Sequence, residues 1–250
     1  MGPSEIDQFS LVPTSFYAWL AGLDIPSRQM HTFLCVHGIG GTRADWAGVT
    51  GPLERLGVVA CVDVPAGAME RGRDAIVHDL ERGPGPGILV GHSRGGVLAL
   101  MAAAERPDLV ERLVLTSGYV PPTRADRSWI IGGGSWVKHR TRLAGRFVRG
   151  GHLTARGADS RASLRTSFPS VVRIAGMGLR PSAFDRIAQA VRCPVLAISG
   201  ERDSHVPSSW VAAAARRYGW SHVTLPGGSH FAHIDAPDAW AGLVADWLAE

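Results

Sequence analysis

Gly87-Ile88-Leu89-Val90-Gly91-His92-Ser93-Arg94-Gly95-Gly96-Val97-Leu98 decides how this chain folds. An apolar run ending at Val90 meets a serine set between glycines, and an alanine- and leucine-rich helical pattern follows to about Glu105. Gly-x-Ser-x-Gly at a strand-to-helix junction is a nucleophile elbow, a sharp turn that lifts a serine hydroxyl above a sheet. The glycines have a steric reason. Strand and helix pass so closely that a Cβ two residues before or after the serine would strike the opposing backbone. The pentapeptide alone is also compatible with a serine N-cap in a glycine-rich turn. Its setting, strand before and helix after, is what carries the reading.

Working outward, short apolar runs alternate with helical patterns. Strands are expected at 32–36, 58–62, 87–90, 112–116, 195–199 and 222–225, and helices at 43–55, 71–82, 94–105, 208–218 and 237–249. Near-continuous apolar runs mark strands buried on both faces, and strand-helix alternation implies an α/β fold with a mostly parallel sheet flanked by helices. Phe16–Leu23 is the sole candidate for earlier strands. From about Tyr119 to Asp185 the rhythm stops, and twelve basic residues stand against only Asp126, Asp159 and Asp185. Segments that long without regular elements are usually functional. The expected organisation is a core of residues 1–118 and 186–250 with an inserted helical lid at 119–185.

Composition narrows the function classes. The chain of 250 residues is 45% apolar and 19% charged, a globular balance. No apolar run is long enough to span a bilayer, and the first ten residues lack a signal-peptide pattern. Cys35, Cys61 and Cys193 are odd in number and far apart, which fits reduced thiols in a cytoplasmic setting. The net charge is +4, yet Lys138 is the only lysine among 26 basic residues, and no aromatic-basic interleaving accompanies them. A small-molecule substrate is therefore expected, with no nucleic-acid partner and no membrane span. The basic lid leaves room for an acidic substrate or a carrier-protein surface through steering. Nothing in the pattern assigns an oligomeric state, a cofactor or a metal. The nearest metal-like spacing is His230-x-x-His233-x-Asp235.

A serine hydroxyl becomes a nucleophile only when a base takes its proton and a carboxylate orients that base. Two later loops supply such groups at the C-terminal ends of strands: Gly200-Glu201-Arg202-Asp203-Ser204-His205-Val206-Pro207 and Pro226-Gly227-Gly228-Ser229-His230-Phe231. Ligands collect at that edge of open α/β sheets. Glu201 is the rival acid and His233 the rival base, while Asp235 is expected to cap the helix opening at Pro237.

With His37-Gly38-Ile39-Gly40-Gly41 added, these motifs in this order resemble the α/β-hydrolase superfamily over roughly residues 32–118 and 190–249. The resemblance implies Ser93 as nucleophile, His230 as general base and then acid, and Asp203 as the orienting acid. It also implies an oxyanion hole from the backbone N–H groups of Ile39 and Arg94. Asp63-Val64-Pro65-Ala66-Gly67 matches only the first half of the family's usual run after its fourth strand. His37 shapes the oxyanion loop or contacts substrate, His92 packs beside the elbow, and His205 lines the pocket. Trp129 and Trp136 either line an apolar substrate pocket or form a satellite core of the lid. The implied activity is hydrolysis of an ester, thioester or lactone. The same residues also serve C–C bond hydrolysis, cofactor-free oxygenation or lyase chemistry on this fold, and a receptor role is a third reading.

Overall fold

Successive side chains of a strand face opposite sides of its sheet, and in this chain both sides are apolar. The structure is a computed structural model that describes residues 31–65, 69–118, 120 and 181–250. Six strands, β1 (His31–Val36), β2 (Gly57–Val62), β3 (Gly87–His92), β4 (Val110–Thr116), β5 (Val195–Gly200) and β6 (Ser221–Leu225), form one sheet. Every pairing is parallel, in the order β2-β1-β3-β4-β5-β6.

The helices are α1 (Ala47–Glu54, entered through a 3-10 turn at Arg43–Trp46), α2 (Met69–Arg82), α3 (Arg94–Glu105), α4 (Pro181–Ala190), α5 (Ser208–Tyr218), α6 (Ala232–Asp235) and α7 (Pro237–Leu248). Leu34, Val36, Leu89, Leu113, Leu115 and Ala197 face a core shared with α2 to α5. Phe33, Cys35, Ile88, Val90, Val114 and Ile198 face the opposite core, closed by Trp46, Leu53, Trp240 and Val244 from the α1 and α7 side. The expected strand-helix alternation is thus present, with element ends moved by one or two residues. The helix expected at 43–55 opens instead as the 3-10 turn, where Thr42 Oγ1 accepts the Ala44 N–H at 3.3 Å.

Phe16–Leu23 and residues 121–180 of the expected lid lie outside the described residues. The helix α4 crosses the expected 185/186 boundary, and its Phe184 and Ala188 are buried in the α2–α5 core.

The strand order sets where a site forms. The chain moves from β1 outward to β2, then returns to the other side of β1 as β3. The loops leaving β1 and β3 therefore diverge, opening a crevice at their C-terminal ends. His37–Gly41 and Ser93 occupy those two loops.

The elbow needs its glycines for space. A Cβ on Gly91 would lie 2.5 Å from Gly96 Cα, and one on Gly95 would lie 2.3 Å from Val36 O and 2.5 Å from His37 O. Both obstacles are backbone and cannot rotate away. Gly95→Ala should therefore lower unfolding free energy by about 2 kcal/mol or more, or leave no soluble protein. At Gly242, inside α7, no atom lies within 4 Å of the position that a Cβ would take. Gly242→Ala should raise stability by about 0.5–1 kcal/mol through helix propensity and unfolded-state entropy. Urea unfolding of both variants checks the contrast, and equal effects would refute the steric account.

Candidate active site

Ser93 carries a backbone conformation that side-chain-bearing residues rarely adopt, φ 52° and ψ −114°. Such a residue costs on the order of 1–3 kcal/mol and persists only where its surroundings enforce it. Here the Ser93 N–H donates to Thr116 O at 3.0 Å and the Gly96 N–H donates to Ser93 O at 3.1 Å. The turn pins Ser93 between β3 and the first turn of α3.

The loop after β1 closes over the elbow. A Cβ on Gly38 would fall 3.2 Å from Ser93 Cβ and 2.7 Å from His92 Nδ1. Ile39 and the left-handed Gly40 (φ 69°) follow, and the Gly41 N–H returns to Gly38 O at 3.3 Å. His37 is buried and holds this loop with both ring nitrogens. Its Nδ1–H donates to Gly38 O at 2.7 Å, and its Nε2 accepts the Val64 N–H at 3.0 Å. A carbonyl can only accept and a peptide N–H can only donate, so His37 is a neutral imidazole protonated on Nδ1. Burial pushes its pKa below the ordinary histidine value; the Gly38 bond and the charges of Asp63 and Asp45 oppose that without reversing it.

The loops after β5 and β6 meet through another close approach. A Cβ on Gly200 would lie 2.1 Å from Ser229 O. Asp203 and His230 are both buried, and His230 Nδ1–H donates to Asp203 Oδ2 at 2.9 Å. The other carboxylate oxygen, Oδ1, accepts the His205 N–H at 2.8 Å and the Val206 N–H at 2.9 Å. Burial raises the Asp203 pKa, but the His230 bond and charge and the two peptide N–H groups outweigh it, leaving the carboxyl below its ordinary value. With its proton on Nδ1, His230 presents Nε2 as the nitrogen that can accept a second proton.

One bond joins the two halves. His92, next to the serine, donates from Nε2 to His230 O at 2.9 Å across 138 residues of sequence. The rings of His92 and His230 lie 4.9 Å apart, and the His205 ring lies 4.8 Å from that of His230.

The rivals separate cleanly. Glu201 Oε2 accepts the Gly227 N–H at 2.7 Å, so it braces the β6 loop from outside. His233 is enclosed by the rings of Trp46, at 4.5 Å, and His92, at 4.7 Å. Asp235 does not cap α7, as the sequence led us to expect: the N-cap position is Ala236, and Asp235 Oδ2 instead accepts the Ser229 N–H at 2.8 Å. The short α6 turns Asp235 back toward the loop that carries His230. This bond, like that of His92, has no local sequence signature.

Asp203, His205 and His230 bring one ligand atom each within 4.8 Å of one another, a metal-like spacing. Both Asp203 oxygens are already committed to N–H donors, so a metal ion would have to displace the Asp203–His230 bond. Trp129 and Trp136 lie outside the described residues.

A strained serine on an elbow, a histidine bonded to a buried carboxylate, and a glycine-rich loop over the serine define the class of an α/β acyl-transfer fold. The family description that matches is the Alpha/beta hydrolase family, over residues 33–243, and the chain belongs to that family. A candidate carbamate hydrolase, RutD of Klebsiella pneumoniae (strain 342), is 29% identical over 178 residues, 64% of this chain. The matched stretch spans 65% of that relative's length. Among solved structures, NosK from Streptomyces actuosus is 26% identical with a TM-score of 0.62, covering 87% of this chain and 97% of its own. A thermophilic esterase from Thermogutta terrifontis shares the fold at 22% identity and a TM-score of 0.62, covering 88% and 90%. No helix among the described residues is long and apolar enough to cross a membrane.

The neutral His37 bridge has a pH consequence. Its folded pKa lies below the unfolded value of about 6.5, so its contribution to stability is full above that value. It is lost as pH falls from there toward the folded pKa. His222, also lowered by burial and by Arg216, acts in the same direction. The thermal midpoint should therefore fall between pH 7 and pH 5, and His37→Gln should flatten part of that slope. A slope unchanged by the substitution would count against the neutral bridge.

Proposed function

We propose that this protein is a serine hydrolase that cleaves a carboxylic ester, thioester or lactone of a small, apolar-bodied substrate. The observation that carries the reading is the buried Asp203–His230 bond, which leaves His230 Nε2 as the proton acceptor on the sheet edge that bears Ser93. In this reading Ser93 Oγ attacks the substrate carbonyl while its proton passes to His230 Nε2. The tetrahedral oxyanion is met by the backbone N–H groups of Ile39 and Arg94. The latter opens α3, where free N–H groups and the helix dipole both favour negative charge. His230 then protonates the leaving group, an acyl-enzyme forms on Ser93, and a water activated by His230 releases the acid.

Asp203 stays ionised throughout. Its lowered pKa supports that role, since a protonated carboxyl would neither hold the Nδ1 tautomer nor stabilise the imidazolium. Trp129 and Trp136 are assigned to the apolar wall of the pocket, and residues 119–185 to a lid. A reducing, cytoplasmic setting is supported by three free cysteines, of which Cys35 is buried.

Turnover of p-nitrophenyl esters and labelling by a fluorophosphonate test the proposal together. Wild type should do both, and Ser93→Ala should abolish labelling. Asp203→Asn, which keeps the shape but reverses the tautomer preference, should lower kcat by about 10³–10⁴. Turnover that survives Ser93→Ala unchanged would sink the assignment.

A further inference from the structure

The Arg94 side chain has no role in the chemistry just described, and its surroundings are unusual. It is 4% exposed at the start of α3. Its Nη2 donates to Pro65 O at 3.2 Å, and its Nε is buried without a hydrogen-bond partner. No carboxylate among the described residues pairs with it. Burial lowers its pKa, with no acid acting in the other direction. Buried arginines are ordinarily paired, because desolvating the guanidinium is costly and a single carbonyl bond returns little of that cost. An unpaired guanidinium beside a nucleophile is an arrangement that an incoming anion completes.

The topology says which part of a substrate carries that anion. Ser93 leaves β3, near the middle of the sheet; Pro65 follows β2 at one edge, and His230 follows β6 at the other. The leaving group must reach His230 to be protonated. Arg94 extends in the opposite direction, toward Pro65 and His37, which leaves that side to the acyl substituent.

Resting on the serine-hydrolase reading, we propose that Arg94 is a specificity-determining residue that binds a carboxylate on the acyl side of the substrate. The preferred substrates are then short dicarboxylic half-esters or half-thioesters. A guanidinium suits this because its planar donors engage a carboxylate in two parallel bonds. The backbone N–H of the same residue faces the oxyanion, so one residue reads both ends of the acyl group.

Three esters separate the possibilities: p-nitrophenyl hemisuccinate, its methylated counterpart p-nitrophenyl methyl succinate, and the butyryl ester of 4-hydroxybenzoate, which carries its charge on the leaving group. Wild type should show kcat/KM at least about tenfold higher for the hemisuccinate than for the methyl succinate, with no comparable gain for the third ester. Arg94→Gln should bring the hemisuccinate-to-methyl-succinate ratio to about one, and Arg94→Lys should keep an intermediate ratio. A merely structural Arg94 would lower all three rates together and leave the ratio where it was. A wild-type ratio at or below one, or a ratio untouched by Arg94→Gln, overturns the proposal. Should Arg94→Gln lose its circular dichroism signature, Arg94→Lys carries the comparison. Calorimetric titration of Ser93→Ala with succinamate decides the anion site even if no ester is turned over, an outcome that would remove the hydrolase reading alone. Binding should weaken about tenfold or more when Arg94→Gln is added, and absence of binding to Ser93→Ala refutes the site.

Discussion

Everything at this site depends on two backbones passing closer than a methyl group allows. Gly91 and Gly95 permit β3, α3 and the loop after β1 to converge, and the convergence forces Ser93 into its strained turn. Strain of that size is stable only because two neighbouring strands enforce it: Thr116 O holds the serine N–H from β4, while Val36 and His37 crowd the helix from the end of β1. The serine hydroxyl is thereby fixed by the fold itself and not by its own hydrogen bonds. Gly200 repeats the device at the far side, where β5 comes against Ser229 O and brings Asp203 within reach of His230.

Two buried histidines brace the loops on either side of Ser93. His37 spans from Gly38 to Val64 and ties the end of β1 to the end of β2. His92 spans from the elbow to His230 O. His37 accepts the Val64 N–H at Nε2, so its protonation would break a bond and not merely add a charge. Asp203, the partner of His230, is held by two peptide N–H groups and cannot turn away. A rigid neutral brace at His37 and a fixed carboxylate beside His230 are what preorganisation requires at this scale.

The sequence disclosed the parts of this arrangement that rest on local patterns. Alternating apolar runs revealed the strands because a two-sided sheet leaves no polar face to confuse the period, as in Ile88-Leu89-Val90. Motif order pointed to Ser93, Asp203 and His230, of which the fold joins the last two in one hydrogen bond. His37 was legible as the residue that shapes the loop after β1, but the other braces were not. His92 occupies a variable position of the elbow motif, and its partner lies 138 residues away. Asp235 stands two residues before Pro237, where a helix cap is the natural reading, yet α6 turns its carboxylate onto Ser229. Such bonds depend on how separate loops meet in space, and no spacing along the chain encodes that meeting. The pairing state of Arg94 was equally hidden, since a basic residue after the nucleophile says nothing about which acids approach it.

Charge is distributed across the sheet edge in a way that follows from the strand order. The Asp203–His230 pair sits beyond β5 and β6, and the unpaired Arg94 cation points toward β2, with the nucleophile between them. A cation on the histidine side would have opposed formation of an imidazolium, and on the β2 side the Asp63 carboxylate is engaged by Arg43, not by Arg94. Keeping them apart lets the imidazolium form next to its own counter-ion while Arg94 remains available to an external one. Under the proposed reading, the same separation assigns direction to a bound acyl group: its leaving atom toward His230, its oxygen toward the N–H of Arg94, and its anionic end toward the guanidinium. A substrate held at three points around one carbonyl has little freedom left to lose in the transition state, which is how binding at a remote charge becomes rate at the reacting bond.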